Sequence, residues 1–228
     1  MYRYEYPHPA VTVDCVVFGL AGEELNLLLI QRGEQPFAGT WALPGGFVKM
    51  EEALETAARR ELQEETGVSE LYLEQLGAYG APDRDPRERV ITVAYVAIVN
   101  LFEHDVQAAT DARRAGWFSV DDLPDLAFDH AEIVDAGLEM LRRKVRREPI
   151  AFAFLPERFT LRQLQKIYES ILGRSLDKRN FRKKVQSTGL VHPTGEVEMD
   201  VAHRAAQLFR FDRESYERLR ADGFELGL

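Results

Sequence analysis

A chain of 228 residues with 45% hydrophobic content has room for one large or two small domains with cores of their own. No run approaches the roughly 20 apolar residues of a membrane span, the first ten residues lack a charged-then-apolar leader pattern, and the single cysteine excludes an internal disulfide, so a cytoplasmic setting without membrane contact is expected. The net charge of −9 is uneven: residues 1–150 carry 15 Lys+Arg against 27 Asp+Glu, residues 151–211 carry 11 against 6, and residues 212–228 carry 3 against 5. Such asymmetry predicts two modules with different partners, divided as residues 1–150 and 151–228.

Residues 10–20 and 24–32 read as strands joined by the turn Ala21-Gly22. Cys15 sits in the apolar run 11–18 and reads as a core residue. Residues 33–46 form a Gly- and Pro-rich loop that ends in Trp41-Ala42-Leu43-Pro44-Gly45-Gly46. Residues 53–66 have helical composition without Gly or Pro, and Gly67 supplies a stop. Leu54, Ala57, Ala58 and Leu62 recur at helical spacing and mark the buried stripe. Glu61 and Glu65 fall on that same stripe, with Glu64 beside it. Carboxylates taken out of water are costly unless paired or metal-bound, and three within five residues repel one another unless a cation sits among them. Oxygen ligands of this kind suit magnesium or manganese. The plainer alternative is a solvated acidic face, but these acids continue the apolar stripe rather than oppose it.

Further along, 71–80 reads as a strand, 83–87 as a turn and 90–101 as a central strand, apolar almost throughout. Residues 114–120 form a short strand with Trp117 and Phe118, and 129–147 a helix with Ile133, Leu138 and Leu141 inward and a basic end. Strands with two helices at separate points predict a mixed α/β layer. Residues 147–156 read as a linker. Thr160 then opens a helix, with Gln163 completing a capping box. Its buried face is Leu161, Leu164, Ile167, Tyr168, Ile171 and Leu172, and Gly173 ends it. Asp177 caps a second helix over 178–188, stopped by Gly189, with Phe181 and Val185 inward. Lys178, Arg179, Arg182, Lys183 and Lys184 occupy its other faces. Strands over 190–192 and 207–211 bracket a loop with Pro193 and Gly195. A helix, a turn, a basic helix and a hairpin make the winged helix-turn-helix pattern. Residues 194–200 of the hairpin are acidic, although phosphate contact favours basic wings.

From Gly46, five residues lead to Glu52, and seven more lead to Arg60-Glu61-Leu62-Gln63-Glu64-Glu65-Thr66-Gly67-Val68. This resembles the Nudix box at all of its specified positions. The words around Trp41–Val48, Asp83–Tyr95 and Leu123–His130 are similar to the ADP-ribose pyrophosphatase branch. Residues 155–185 are similar to the winged helix of the NrtR-type regulators of NAD metabolism. The resemblance implies an α/β fold: a Nudix α/β/α sandwich with a mixed sheet, followed by a winged helix-turn-helix domain. It implies a Mg2+ (or Mn2+) site at Glu61, Glu64, Glu65 and the Gly45 carbonyl, with Glu52 paired to Arg60 and orienting the cluster. Glu65, Glu52 and Arg60 are then the residues expected to carry catalysis. Trp41 and Phe37 either contact a base or belong to the core. Arg84 and Arg87 either meet a diphosphate, whose oxygens match guanidinium forks, or lie in a solvated turn. Asp129 and His130 either line the pocket or begin a surface helix.

The implied activity is recognition and hydrolysis of ADP-ribose or a related nucleoside diphosphate compound. The chain is expected to be a homodimer that meets double-stranded DNA through Lys178, Arg179, Arg182 and Lys183. The alternative is a repressor of NAD metabolism that senses ADP-ribose without significant catalysis. The intact box favours hydrolysis.

Overall fold

The computed structural model describes residues 5–21, 24–68, 72–100, 114–198 and 205–222. Gly22, Leu71, Leu101 and residues 199–200, each part of an expected turn, strand or hairpin, lie outside them. The chain divides into two compact units, one built mainly from residues up to Gly137 and one mainly from Leu138 onward.

The first unit is organised by a mixed seven-stranded sheet. Its strands are β1 (Ala10–Ala21), β2 (Glu24–Gln31), β3 (Trp41–Ala42), β4 (Gly45–Phe47), β5 (Tyr72–Tyr79), β6 (Val90–Val99) and β7 (Arg114–Ser119). The order is β3-β2-β1-β6-β5, with β4 paired to β1 and β7 to β2. β1 and β6 are parallel neighbours and apolar along nearly their whole length, as strands covered on both faces must be. Cys15, Val16, Val17 and Phe18 are fully buried, as are Ala94, Ala97 and Val99.

Helix α1 (Leu54–Thr66) and helix α2 (His130–Val145) supply the covers. The Cys15 thiol lies 4.0 Å from the Ala58 carbonyl of α1. A side chain built on Gly137 of α2 would come within 2.9 Å of Val16, so only glycine permits that approach. Successive strand residues point to opposite faces, which puts α1 and α2 on opposite sides of β1. This is the expected α/β/α sandwich. Ala57, Ala58 and Leu62 are buried as the helical stripe requires, and Thr66 joins them.

The second unit holds the later half of α2, a 3-10 helix over Pro149–Phe154, β8 (Phe159–Thr160), α3 (Leu161–Leu172), α4 (Lys178–Ser187), β9 (Val191–Val197), β10 (Gln207–Phe211) and α5 (Arg213–Ala221). The capping box of α3 is present, with Thr160 and Gln163 bonded reciprocally. Asp177 accepts from the Asn180 amide and caps α4. Tyr168 and Phe181 meet edge-on, ring centroids 5.4 Å apart, which locks the two helices together.

Two features differ from expectation, and a third lies where none is stated. Residues 149–154 are a 3-10 helix with Ile150, Ala151 and Phe154 buried, not an open linker. β9 runs on through Pro193 and Gly195, and β8 adds a third strand in the order β8-β10-β9. Residues 213–221 form α5, capped by Asp212 at Ser215, with Tyr216 buried beside Phe211.

Candidate active site and nucleic-acid interface

The local fold of the site follows from one antiparallel pairing. β4 lies against β1 with Asp14 opposite Gly45 and Val13 opposite Gly46. A Cβ on Gly45 would sit 2.1 Å from the Val13 carbonyl oxygen, and one on Gly46 would sit 2.6 Å from Glu61 Oε1. Two glycines are therefore what lets the loop run between β1 and the acidic end of α1. The Gly45 amide donates to Glu65 Oε2 at 2.8 Å, which ties the loop to the helix.

The acids of α1 take three different positions. Glu65 is largely buried. Burial pushes its carboxyl up to about 8, opposed by the Gly45 hydrogen bond and aided by the charges of Glu61 and Asp14. Glu61 is also largely covered and binds Arg60 at 2.6 Å, whereas Glu64 is half exposed and reaches Arg60 at 3.0 Å. Arg60 further grips Glu52 through two nitrogens, at 2.6 and 3.0 Å, and the Phe47 carbonyl at 3.2 Å. These bonds, the one to Glu52 first, hold the guanidinium pKa above its ordinary value. In return the Glu52 carboxyl is held down at about 2 by Arg60 and the Lys49 amide. Arg59 points elsewhere and pairs with Glu55 at the surface.

Among the described residues, no three acidic or histidine side chains already surround one point at metal-ligand spacing. The donor chemistry nonetheless fits a hard divalent cation. Glu65 is a buried carboxylate with a second acid, Glu61, raising the cost of its charge. A cation is the ligand that relieves both burdens. Glu61, Glu64, Glu65 and the Gly45 carbonyl are the groups that would hold it.

A cavity of about 350 Å3 opens beside these groups. Its lining mixes the acids Asp14, Glu34, Glu65 and Asp85 with Arg32, Arg84 and Arg87, and includes Phe128 and His130. Arg84 is buried and held in a fork by Asp129 at 2.6 and 2.8 Å, with Asp14 at 3.4 Å. Arg87 is chelated by Asp85 at 2.7 and 3.0 Å. Arg32 lies 4.7 Å and Arg87 5.9 Å from the Phe128 ring centroid. Burial and then the charge of Arg87 lower the Arg32 pKa, so the two guanidiniums share a space that an anion would ease.

His130 is 4% exposed. Its Nδ1 accepts from the Leu43 amide at 2.9 Å, and Nε2 faces Asp14 Oδ1 at 3.6 Å. Burial lowers its pKa, so the ring is neutral with its proton on Nε2. His130 thereby pins the short link between β3 and β4 that leads into Gly45 and Gly46.

The structure brings Gly45, Glu65, Arg84 and Arg87 to the cavity wall, with Glu52, Arg60, Glu61 and Glu64 in the network behind it. Trp41 is not among the lining residues and packs edge-on against Phe118 at 4.6 Å. Phe37, 41% exposed, meets Phe128 edge-on at 4.8 Å and reaches the cavity only through it. Sequence reasoning does not single out Asp14, Arg32 or Phe128. Asp14 offers one signal: an acid inside an otherwise apolar strand.

In the second unit, α4 buries Phe181 and Val185 and presents Lys178, Arg179 and Lys183 to solvent. With Arg182 they line one open surface hollow. Arg182 Nε is buried without a partner among the described residues. No helix of the described residues is long and apolar enough to cross a membrane.

Residues 8–137 match the NUDIX domain, and the chain belongs to the Nudix hydrolase family. Residues 151–211 match the NrtR DNA-binding winged helix domain, which places it in the NrtR-type branch. The ADPR responsive transcriptional repressor NtrR of Acinetobacter baylyi is 38% identical over 94% of this chain and 87% of its own. The crystal structure of Shewanella oneidensis NrtR complexed with a 27mer DNA has a TM-score of 0.79 at 31% identity, covering 94% of this chain and 96% of that one. The ADP-ribose pyrophosphatase of Methanocaldococcus jannaschii is 43% identical over 57% of this chain and 73% of its own.

Proposed function

We propose that the first unit binds and hydrolyses ADP-ribose or a closely related nucleoside diphosphate compound, and that the second unit binds double-stranded DNA, so that the chain is an ADP-ribose-responsive transcriptional regulator. The observation that carries this reading is one cavity lined by three arginines and by Glu65 of the acidic helix. A diphosphate is an anion that guanidinium forks can bind and that, for cleavage, a cation held by carboxylates can neutralise. The names of the Acinetobacter and Methanocaldococcus relatives support both halves.

Arg32 and Arg87 are placed to bind the diphosphate. Arg84, fixed by Asp129 and Asp14, orients the groups around it. Phe128 excludes water from one side. Glu61, Glu64 and Glu65 would hold magnesium or manganese, which would supply Lewis-acid stabilisation of the diphosphate charge. A homodimer would present two α4 helices to a two-fold symmetric site, since operator symmetry mirrors protein symmetry.

A second reading, sensing without significant turnover, is favoured by one observation: Glu61 and Glu64 are committed to Arg60. The test is incubation with Mg2+ and a panel of nucleoside diphosphate compounds, with products separated by anion exchange and binding followed by calorimetry. Turnover of ADP-ribose is the expected result. Binding without turnover selects the sensor. Neither binding nor turnover rejects the reading of the cavity.

A further inference from the structure

The end of α2 carries a second basic surface, separate from that of α4. Arg142, Arg143, Arg146 and Arg147 are all exposed and line one cavity of about 440 Å3 together with Glu139. Lys144, in the same turn, is already paired with Glu148 at 2.9 Å. Arg142 gives its Nε to the Ile171 carbonyl at 3.2 Å. Arg143, Arg146 and Arg147 have no acidic partner among the described residues.

The plain reading is that these cations offset the negative end of a helix dipole. That effect is worth about 0.3–1 kcal/mol per charge and needs one or two. Here the helix end is already served by backbone: the amides of Arg147 and Glu148 both donate to the Lys144 carbonyl, at 2.9 and 2.8 Å. Four arginines facing one hollow repel one another, and only one acid, Glu139, shares that hollow. This arrangement asks for an anion from outside.

Its place in the second unit says which anion. Ile171 is in the last turn of α3, so the hydrogen bond from Arg142 sets the cluster against the end of α3 from which the chain turns toward α4. That turn is itself rigid: Glu169 accepts from the Leu176 amide at 2.8 Å and Gln165 donates to the Leu176 carbonyl at 2.9 Å. Two residues after Leu176, α4 begins with Lys178 and Arg179. The cluster and the basic helix are thus held by one rigid corner.

We propose that Arg142, Arg143, Arg146 and Arg147 form a second phosphate-binding surface that holds the DNA backbone outside the base pairs met by α4. This rests on the DNA-binding reading of the second unit. Contacts of this kind fix position and add affinity without reading sequence.

The experiment compares the full chain with R143Q/R146Q/R147Q, which leaves the Arg142 bond to Ile171 in place, and with R143K/R146K/R147K, which keeps the charge. The probe is a duplex from upstream of the protein's own coding sequence, titrated at several salt concentrations. Each phosphate that is no longer neutralised lowers the slope of log affinity against log salt by about 0.9. The Gln variant is expected to lose about tenfold in affinity and about two units of slope. Its preference for that duplex over a scrambled one should be unchanged, and the Lys variant should bind nearly as the parent does. Parent binding with Gln-variant affinity and slope equal to it overturns the second surface alone. A Gln variant that loses sequence preference along with affinity also overturns it, because α4 would then have been disturbed. No salt-dependent binding by the parent overturns both this inference and the DNA-binding reading beneath it.

Discussion

Two of the basic regions of this molecule use their cationic side chains in opposite ways. Around the first-unit cavity, Arg60 and Arg84 are largely buried and each is divided between two or more carboxylates. On α4, Lys178, Arg179 and Lys183 stand in solvent. Where low dielectric strengthens every charge, removing one partner strands the others. Where water screens the charges, each contributes separately and salt weakens all of them. The first region should therefore respond to pH and to single substitutions, the second chiefly to ionic strength.

The largest test of that contrast is Glu65→Gln, which keeps shape and removes a charge. We predict a fall of about a hundredfold or more in hydrolysis, as for loss of a charge-stabilising group in a metal site. Unchanged turnover in a steady-state assay would break the assignment of Glu65. Next comes Gly45→Ala. Its Cβ would meet the Val13 carbonyl oxygen of β1 at 2.1 Å, and backbone in a sheet cannot step aside. A loss of about 3 kcal/mol in urea unfolding is expected, against about 1 for Gly46→Ala, whose neighbour is the flexible end of Glu61.

A smaller effect concerns pH. The Glu65 carboxyl is raised to about 8 in the folded chain from 4.5. A raised acid binds more protons folded than unfolded, so its contribution favours the native state at low pH and is lost as pH rises from about 4.5 to 8. The metal-free protein should melt about 5 °C lower at pH 8 than at pH 5.5 on this account, and Glu65→Gln should flatten that slope. Glu52 behaves in the reverse sense. Held at about 2, it stabilises above about 4.5, and that share disappears as pH falls toward 2. The smallest effect belongs to the exposed region: Arg179→Ala should weaken DNA binding severalfold and lower the salt slope by about 1, with hydrolysis unaltered.

Much of the fold and of the acidic site is legible in the sequence because it is local there. The box spacing marks α1 and its acids, Thr160 with Gln163 marks the start of α3, and Asp177 marks α4, since each cap reaches only three residues along the chain. The cavity wall is not legible in the same way. Asp14 of β1, the Leu43 amide, Arg84 and His130 of α2 lie far apart in the sequence and meet only in the fold; Arg84 and His130 are named from the sequence with a surface alternative each, and Asp14 and Leu43 are not singled out. Arg32 reads as the end of a strand, with nothing in its neighbours to announce a cavity. Pro149 makes residues 149–154 look like a linker, although Pro at the first turn of a helix is well tolerated and Ile150 and Phe154 are apolar enough to be buried. Residues 213–221 form a helix that the sequence reading does not identify: the segment is largely polar, its one buried residue is Tyr216, and the available signal is Asp212, which caps the helix at Ser215.

The bond from the Leu43 amide to His130 Nδ1 also gives the molecule a built-in spectroscopic reporter. A ring whose Nδ1 accepts and whose Nε2 carries hydrogen has two 15N resonances far apart, and its Nε2 proton, sheltered from water, exchanges slowly enough to be seen. His130 is one of the residues that line the cavity. Occupancy can thus be followed at one nucleus, without a label on the ligand and without waiting for a product.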